Sequence, residues 1–239
     1  MSVDRYAEVA ARAELLNQRL GGLPPERLLR ELLSIEFPGR IAVVSSFGAE
    51  SAALLHMVAT IDPATPVVVI DTGKLFEETV RYRDELTGRL GLSDVRIERP
   101  DPIALAVEDP DGTLWSRDPD RCCHLRKVLP LPCGLEGVDA WITGRKRFQA
   151  ATRSLLPVVE SDGPRIKANP LAGWTYDDVD AYYDRHALPR HPLFDVGFLS
   201  IGCAPCTRAV LPGEDARAGR WAGMEKTECG LHGRFTGGA

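Results

Sequence analysis

The sequence has no long apolar run and no excess of positive charge. A membrane-spanning helix needs about 20 consecutive apolar residues, whereas the longest apolar stretches of this 239-residue chain, such as Val67–Ile70, are only strand-sized. The chain has 29 Lys and Arg against 34 Asp and Glu, a net charge of −5, so no overall positive field attracts a long polyanion. We expect no membrane and no nucleic-acid partner, and any anion-binding site must be local.

The first twenty residues lack the features of a targeting segment. Asp4, Glu8 and Glu14 stand among the apolar residues, unlike the apolar core of a secretory signal or an acid-poor transit peptide, and we expect a cytoplasmic protein. In a reducing compartment cysteines are more often metal ligands or catalytic groups than disulfides. The six cysteines lie at positions 122, 123, 133, 203, 206 and 229. Cys133 has no partner pattern, and we expect it to be buried and inert.

Strand-like and helix-like segments alternate, which is typical of an α/β fold with a parallel sheet flanked by helices on both faces. The patterns predict strands at 41–44, 67–70, 95–98 and 139–143, and helices within 9–33, 52–59, 75–90 and 175–185. The polar span 109–120 predicts a loop. Because glycine becomes frequent towards the end, we expect one α/β domain over residues 1–210 and a mobile segment, rather than part of the core, over 211–239.

The loop at residues 45–51, Ser-Ser-Phe-Gly-Ala-Glu-Ser, connects the first predicted strand to a helix. Backbone N–H groups and the positive end of a helix dipole can hold a phosphate there, and Ser45, Ser46 and Ser51 add hydroxyl groups. The loop lacks the lysine of the nucleoside-triphosphate motif G-x-x-x-x-G-K-[ST]. It predicts either an anion site or an ordinary strand-to-helix turn.

Two close pairs of cysteines, Cys122 with Cys123 and Cys203 with Cys206, form the strongest signal in the sequence. Four thiolates can hold either a structural Zn²⁺ or a [4Fe-4S] cluster. Directly adjacent cysteines depart from the usual zinc spacing, which favours the iron–sulfur cluster. Lys127 would share a helix face with Cys123 and place a cation beside an anionic cluster; the alternative is a solvated surface lysine.

Cys229 lies in the glycine-rich tail with basic residues on both sides. Nearby cations lower the pKa of a thiol and make it a usable nucleophile, although Glu228 would oppose this effect at Cys229. A mobile segment could carry the thiolate between a substrate and a reductant. The alternative is an incidental tail cysteine.

Guanidinium groups bind phosphate and sulfate in a bidentate manner. The arginines that could converge on such an anion are Arg145, Arg147, Arg153, Arg217 and Arg220.

Four motifs together resemble the assimilatory adenylyl-sulfate (APS) and phosphoadenylyl-sulfate (PAPS) reductases. They are Ser-Ser-Phe-Gly-Ala-Glu at 45–50, Cys-Cys-His-Leu-Arg-Lys-Val-Leu-Pro-Leu at 122–131, Ser-Ile-Gly-Cys-Ala-Pro-Cys-Thr-Arg at 200–208, and Gly-Arg-Trp at 219–221 with Lys-Thr-Glu-Cys-Gly-Leu-His at 226–232. The resemblance implies an adenine-nucleotide-binding fold of the pyrophosphatase-loop type. It also implies reduction of APS to sulfite and AMP in sulfate assimilation and cysteine biosynthesis, with thioredoxin or glutaredoxin as reductant. The resemblance leaves open whether the chain forms a homo-oligomer.

The resemblance implies a role for each motif. Cys229 would attack the sulfate sulfur, Lys127 would link cluster and substrate, and His232 would complete the catalytic set. The [4Fe-4S] ligands would be Cys122, Cys123, Cys203 and Cys206. The implied substrate-binding residues are Ser45, Ser46, Phe47, Gly48, Ala49, Glu50, Ser51, Thr72, Gly144, Arg145, Arg153, Arg217 and Arg220.

The sequence leaves alternatives open for both the substrate and the function class. Both cysteine pairs together indicate APS, because relatives that lack them generally use PAPS. However, this chain has Gly-Arg-Lys-Arg-Phe-Gln at 144–149 where the family often has Gly-Gln-Arg-Arg-Asp-Gln, and the extra charge at Arg145 and Lys146 could accommodate a 3′-phosphate. PAPS reduction or dual specificity is therefore the alternative. Other classes are an ATP-dependent ligase or tRNA thiolase, an iron–sulfur redox sensor and a zinc-stabilised domain.

Overall fold

The computed structural model describes residues 3–232 and contains one mixed sheet surrounded by helices. The strands are β1 (Ile41–Val44), β2 (Val67–Ile70), β3 (Val95–Glu98), β4 (Ala140–Ile142), β5 (Val159–Asp162) and β6 (Arg165–Ala168). The α-helices are α1 (Val3–Leu20), α2 (Pro25–Glu31), α3 (Ser51–Ile61), α4 (Glu77–Leu90), α5 (Pro102–Glu108), α6 (Leu114–Arg117), α7 (Pro119–Cys123), α8 (Leu131–Gly134) and α9 (Tyr176–His186). The four predicted strands and the main predicted helices are confirmed.

The strand order is β3-β2-β1-β4-β6-β5. All neighbouring pairs are parallel except β5 and β6, which form an antiparallel hairpin at one edge. The sequence pattern does not predict this hairpin because its strands are polar, with the sequences Val-Glu-Ser-Asp and Arg-Ile-Lys-Ala. β2 and β3 lie on one side of β1, whereas β4, β6 and β5 lie on the other, so the strand order reverses between β1 and β4. Ligands of open α/β sheets bind at such a point, outside the carboxyl ends of the strands.

The sheet separates two apolar layers, and alternate residues of a strand belong to one layer or the other. On β1, Ile41 and Val43 face the main core with α1, α2, α3, α4 and α9, whereas Ala42 faces the second layer with Val68 and Trp141. Because side chains along a strand point alternately to opposite faces, these apolar runs are covered on both sides. The prediction of helices on both faces is therefore confirmed.

Local sequence signals explain where the longer helices begin and end. The Thr175 hydroxyl accepts from the Asp178 N–H at 3.2 Å, and the Asp178 carboxylate accepts from the Thr175 N–H at 2.7 Å, a capping box that starts α9. Gly91, with φ of +66°, ends α4 in the left-handed conformation that glycine adopts without strain.

Three expectations need correction. The span 109–120 contains α6 and the start of α7 as well as loop, because Asp109 and Asp118 accept backbone N–H groups and start these short helices. Cys133 is exposed rather than buried. Within the glycine-rich segment, Trp221 is buried against Cys123, Cys203 and Cys206, so part of that segment belongs to the packed interior.

The predicted mobility of 211–239 stays a prediction, and residues 233–239 lie outside the described residues. No helix among residues 3–232 is long and apolar enough to cross a membrane.

Candidate active site

The loop after β1 forms one wall of a cavity of about 270 Å³ at the carboxyl ends of β1, β2 and β4. The Ser45 hydroxyl accepts the Phe47 N–H at 3.1 Å. Phe47 has φ of +47°, a conformation that is strained for a bulky residue and that persists where the surroundings enforce it. Its side chain is fully buried in the main core. Phe47 therefore anchors the loop, while Ser46 and Gly48 line the cavity.

The cavity brings together most of the predicted site residues. From the predicted set it is lined by Ser45, Ser46, Gly48, Ala49, Glu50, Ser51, Thr72, Lys127, Gly144, Arg145, Arg153, Cys203, Arg217, Arg220, Cys229 and His232. It is not lined by Phe47, Cys122, Cys123, Cys206 or Arg147. The cavity is also lined by Tyr176, Phe148 and residues 199–202, which were not predicted as site residues. A tyrosine at a helix start, for example, carries no sequence signal of a ligand.

Two of the cavity's cations are already neutralised by acids of the α/β domain. The Arg145 guanidinium pairs with Glu160 and donates to the Asn169 side-chain oxygen at 3.0 Å. The Lys146 ammonium, which is almost fully buried, donates to Glu50 at 2.7 Å. A buried cation needs such a partner, because removal from water is costly for an isolated charge. These pairs leave neither cation as a free anion receptor.

Two further arginines are engaged by the tail. Arg153 donates to both carboxylate oxygens of Glu228, each at 2.7 Å. Arg217 donates to the Thr227 carbonyl at 2.7 Å and contacts Glu228 at 3.4 Å. Burial raises the pKa of Glu228, but the hydrogen bonds and charges of these arginines outweigh it, so the net pKa is lowered. Glu228 is therefore ionised at neutral pH.

The Arg220 guanidinium lies over the ring of its neighbour Trp221, with the guanidinium carbon 4.5 Å from the ring centroid. Its Nε is buried and has no hydrogen-bond partner within residues 3–232. A Cβ atom built on Gly202 would lie 2.2 Å from the Arg220 guanidinium. Only glycine at position 202 therefore leaves room for this arginine to line the cavity.

We expect Gly202→Ala to fold normally but to displace the Arg220 guanidinium from the cavity. Loss of one charge-assisted contact to an anion costs about 1.5–3 kcal/mol, so kcat/KM for an anionic substrate should fall roughly 10- to 100-fold. Steady-state kinetics, with the melting temperature as a check on folding, measure this. The control is Gly22→Ala, because a Cβ at Gly22 has nothing within 4 Å. Equal kcat/KM in both variants would contradict the role of Gly202.

The four cysteines of the two predicted pairs are buried and free. Cys123, Cys203 and Cys206 pack in one cluster with Trp221, and Cys122 lies behind them against Leu114 and Leu125. Burial raises the pKa of Cys122 to about 11, and it also raises the pKa of Cys123 and Cys206. For Cys203, burial is outweighed by Lys127, the Thr72 hydroxyl and Arg220, which together lower the pKa.

Lys127 connects the cysteines with the cavity. Its positive charge lowers the pKa of the Cys203 thiol, and it lines the cavity together with Cys229. Burial lowers the pKa of Lys127, but Cys203, Cys229 and Cys123 outweigh this effect and raise it above the ordinary value. The lysine is therefore an ammonium at neutral pH, and its charge acts on Cys123, which lies four residues earlier.

Thr72 holds Cys203 from the other side. Its hydroxyl lies 3.3 Å from the Cys203 sulfur. The Thr72 carbonyl accepts from Arg126 at 2.8 Å, and Arg126 is paired with the fully buried Asp109 carboxylate. This buried ion pair fixes the loop after β2, so that the threonine backbone cannot move away from the cysteine.

His232 stacks on Trp141 of β4, with ring centroids 5.7 Å apart and an interplanar angle of 13°. Burial, followed by the charges of Arg145 and Lys167, lowers the pKa of His232 well below its ordinary value. The imidazole is therefore neutral at neutral pH. It can donate a hydrogen bond from one ring nitrogen and accept one at the other.

Unpartnered polar atoms indicate that the cavity is built for a polar ligand. Within residues 3–232, five buried side-chain polar atoms lack a hydrogen-bond partner. Four of them belong to residues that line this cavity: Tyr176, Arg220, Trp221 and His232. Burial, then Glu50, raises the pKa of Tyr176 to about 12, so its hydroxyl is protonated and can donate. Since buried polar groups are normally satisfied, a ligand with several acceptors accounts for this concentration.

The donor set suits an iron–sulfur cluster. The four thiols lie on two segments, α7 and the turn at Ala204–Cys206, that meet beside Lys127. Soft, buried thiols without disulfides are the ligands that iron–sulfur clusters require.

Comparisons with known proteins agree with this site. The phosphoadenosine phosphosulfate reductase domain matches residues 40–209. An adenosine 5′-phosphosulfate reductase of Mesorhizobium japonicum is 54% identical over 228 residues, which are 94% of this chain and 88% of that protein.

Solved structures confirm the predicted pyrophosphatase-loop fold. The phosphoadenylyl-sulfate reductase of Candida auris, crystallised with phosphate, has a TM-score of 0.69 at 28% identity, over 83% of this chain and 96% of that one. The Candida glabrata FMN adenylyltransferase has a TM-score of 0.52 at 15% identity, over 83% of this chain and 72% of that one, and supports the fold alone. The matched domain, the sheet order and the cavity residues agree: the chain belongs to the phosphoadenosine phosphosulfate reductase family.

Proposed function

We propose that this protein reduces adenylyl sulfate (APS) to sulfite and AMP, as the names of its similar relatives suggest. One observation carries the proposal. The tail cysteine, Cys229, lines the same cavity as the nucleotide loop after β1 and the cations Lys127 and Arg220. An anionic sulfonucleotide and a thiol nucleophile would therefore meet in one place.

The first step is attack of the Cys229 thiolate on the sulfate sulfur. The new bond joins the two sulfur atoms, the bond from sulfur to the bridging phosphate oxygen breaks, and AMP leaves with that electron pair. Cys229 then carries the sulfonate as S-sulfocysteine. Lys127 and Arg220 would stabilise the charge that develops on the phosphosulfate, because fixed cations in a site that excludes water need little reorganisation.

The second step requires an external dithiol, which we assign to thioredoxin or glutaredoxin. Its thiolate attacks the Cys229 sulfur, sulfite leaves with the electron pair of the sulfur–sulfur bond, and a mixed disulfide forms. The second thiol of the reductant then releases Cys229. Two electrons pass from the dithiol to the sulfate sulfur in total, and the dithiol becomes a disulfide.

The cofactor that we propose for this chain is a [4Fe-4S] cluster, which Cys122, Cys123, Cys203 and Cys206 would hold. When bound, it would supply a fixed electrostatic field beside Lys127 and tie α7 to the turn at Ala204–Cys206. Lys127 would stay charged between the cysteines and the cavity. The Thr72 hydroxyl lies 3.3 Å from the Cys203 sulfur and would donate its hydrogen to that sulfur when Cys203 is a thiolate ligand.

The pairing of Arg145 and Lys146 favours APS over PAPS. PAPS carries an additional 3′-phosphate, which needs unpaired cations or backbone donors. Arg145 is bound to Glu160 and Asn169, and Lys146 to Glu50. An added phosphate near these residues would have to break a buried ion pair and would lie close to a carboxylate.

We expect sulfite release from APS with kcat/KM at least about 100-fold above that for PAPS, since an unfavourable buried charge costs about 3 kcal/mol or more. Anaerobically purified protein with thioredoxin and sub-saturating APS or PAPS measures this ratio. Equal efficiency would establish dual specificity instead. Release from neither, with ATP-dependent pyrophosphate formation, would favour the ligase or thiolase alternative; release from neither without ATP turnover would favour the sensor.

A further inference from the structure

The tail that carries Cys229 is fastened to the protein on two sides. Lys226 forms an ion pair with Asp120 on α7, next to the first cysteine pair, and its ammonium lies 5.5 Å from the Trp221 ring centroid. Glu228 is bound to Arg153 in the short helical turn Ala151–Arg153 across the cavity. Cys229 follows directly, so both attachments lie within three residues of it along the chain.

The Glu228 attachment has the stronger geometry. Both carboxylate oxygens accept from Arg153, a fork that fixes orientation as well as distance. Arg153 is buried, and its remaining terminal nitrogen donates to the Gln149 side-chain oxygen at 2.7 Å. Gln149 in turn donates to Glu50 at 2.6 Å. The arginine is thus held rigidly by the nucleotide-loop side of the cavity, and the tail docks on a preorganised group.

The partners of the cavity cations show why this contact differs from the others. Arg145 and Lys146 are neutralised by Glu160 and Glu50, which belong to the α/β domain. Glu228 alone among these acids belongs to the tail, so the Arg153 pair forms only when the tail is closed.

We propose that Glu228 is a positioning residue, which latches the tail onto Arg153 and so sets Cys229 over the cavity. Arg153 then binds Glu228 of the tail and also lines the cavity in which the anion would bind. The consequence for turnover rests on the proposed function, whereas the latch itself does not. Opening the latch exposes Cys229 to the reductant, and closing it returns the thiolate to the next substrate.

Hydrogen–deuterium exchange of the tail peptide 222–232 tests the latch without turnover. We expect Glu228→Gln to raise amide exchange in this peptide about tenfold relative to wild type, because a neutral amide replaces one member of a part-buried fork. Sulfite release from APS should show kcat lowered about tenfold. The Kd for AMP should stay within about twofold of wild type, since the substitution leaves the loop after β1 and Arg220 unchanged.

Glu225→Gln is the matched control. Glu225 is exposed, lies in the same peptide and makes no ion pair in the part of the chain that the structure describes, so this variant has the same charge change without the latch. Glu228→Asp, which keeps the carboxylate, should recover part of the protection. Equal tail exchange in Glu228→Gln and Glu225→Gln would overturn the proposal. Tighter AMP binding in Glu228→Gln would also overturn it, because Glu228 would then be a competitor of the substrate anion.

These readouts separate the two hypotheses. Increased tail exchange without any sulfite release, even in the wild type, would refute the reductase function and leave the latch intact. Normal sulfite release with unchanged tail exchange in Glu228→Gln would refute the latch and leave the reductase function intact.

Discussion

Cys229→Ser is expected to abolish sulfite release from APS while leaving iron content and AMP binding unchanged. A serine hydroxyl is largely un-ionised at neutral pH and is a far weaker nucleophile than a thiolate. A sulfated serine would also resist the second step, because thiol exchange requires a sulfur–sulfur bond. We expect kcat to fall by more than about 1,000-fold, in the range seen when a catalytic nucleophile is removed.

Cys133→Ser is the matched control, since Cys133 is exposed and does not line the cavity. That variant should release sulfite at the wild-type rate. Wild-type protein given APS without a reductant should gain the mass of one SO₃ group on the peptide that contains Cys229, and the Cys229→Ser protein should not. Measurable turnover by Cys229→Ser, or labelling at another cysteine, would refute the assignment of the nucleophile.

Cys203→Ser is expected to lose most of its iron and part of its stability. Cys203 lies at the centre of the proposed ligand set, where it contacts Thr72 and Lys127 and packs with Trp221. Metal binding is coupled to folding, so a lost ligand destabilises the turn at Ala204–Cys206 and the tail that packs on it. A loss of about 3 kcal/mol would lower Tm by roughly 6–12 °C in a chain of this size.

Iron and sulfide analysis, the visible absorption of the cluster and calorimetry of anaerobically prepared protein measure these effects. Cys133→Ser again serves as the control and should keep both iron and Tm. Full iron content in Cys203→Ser would show that this cysteine is not a ligand. Zinc instead of iron in the wild-type protein would show that the four cysteines form a structural zinc site and not a cluster site.

The sequence alone determined the α/β architecture and the position of the candidate site. Apolar runs of four residues, such as Ile41–Val44 and Val67–Ile70, predict buried parallel strands because a strand covered on both faces needs apolar residues at every position. The loop that follows β1 and the cysteine pairs were recognisable because their signal lies in consecutive residues. The family resemblance likewise depends on short motifs, and the matched domain confirms it.

The tertiary structure alone decided which charges are free and which are neutralised. Lys146 and Glu50 are 96 residues apart, and Arg153 and Glu228 are 75 apart. Periodicity and spacing report only neighbours along the chain, so they predict a cluster of cations but not the acids opposite it. For the same reason the sequence did not place the Phe47 side chain in the core or Cys133 at the surface. A residue's burial and its ion-pair partner depend on the segments that the fold brings together, which no local pattern contains.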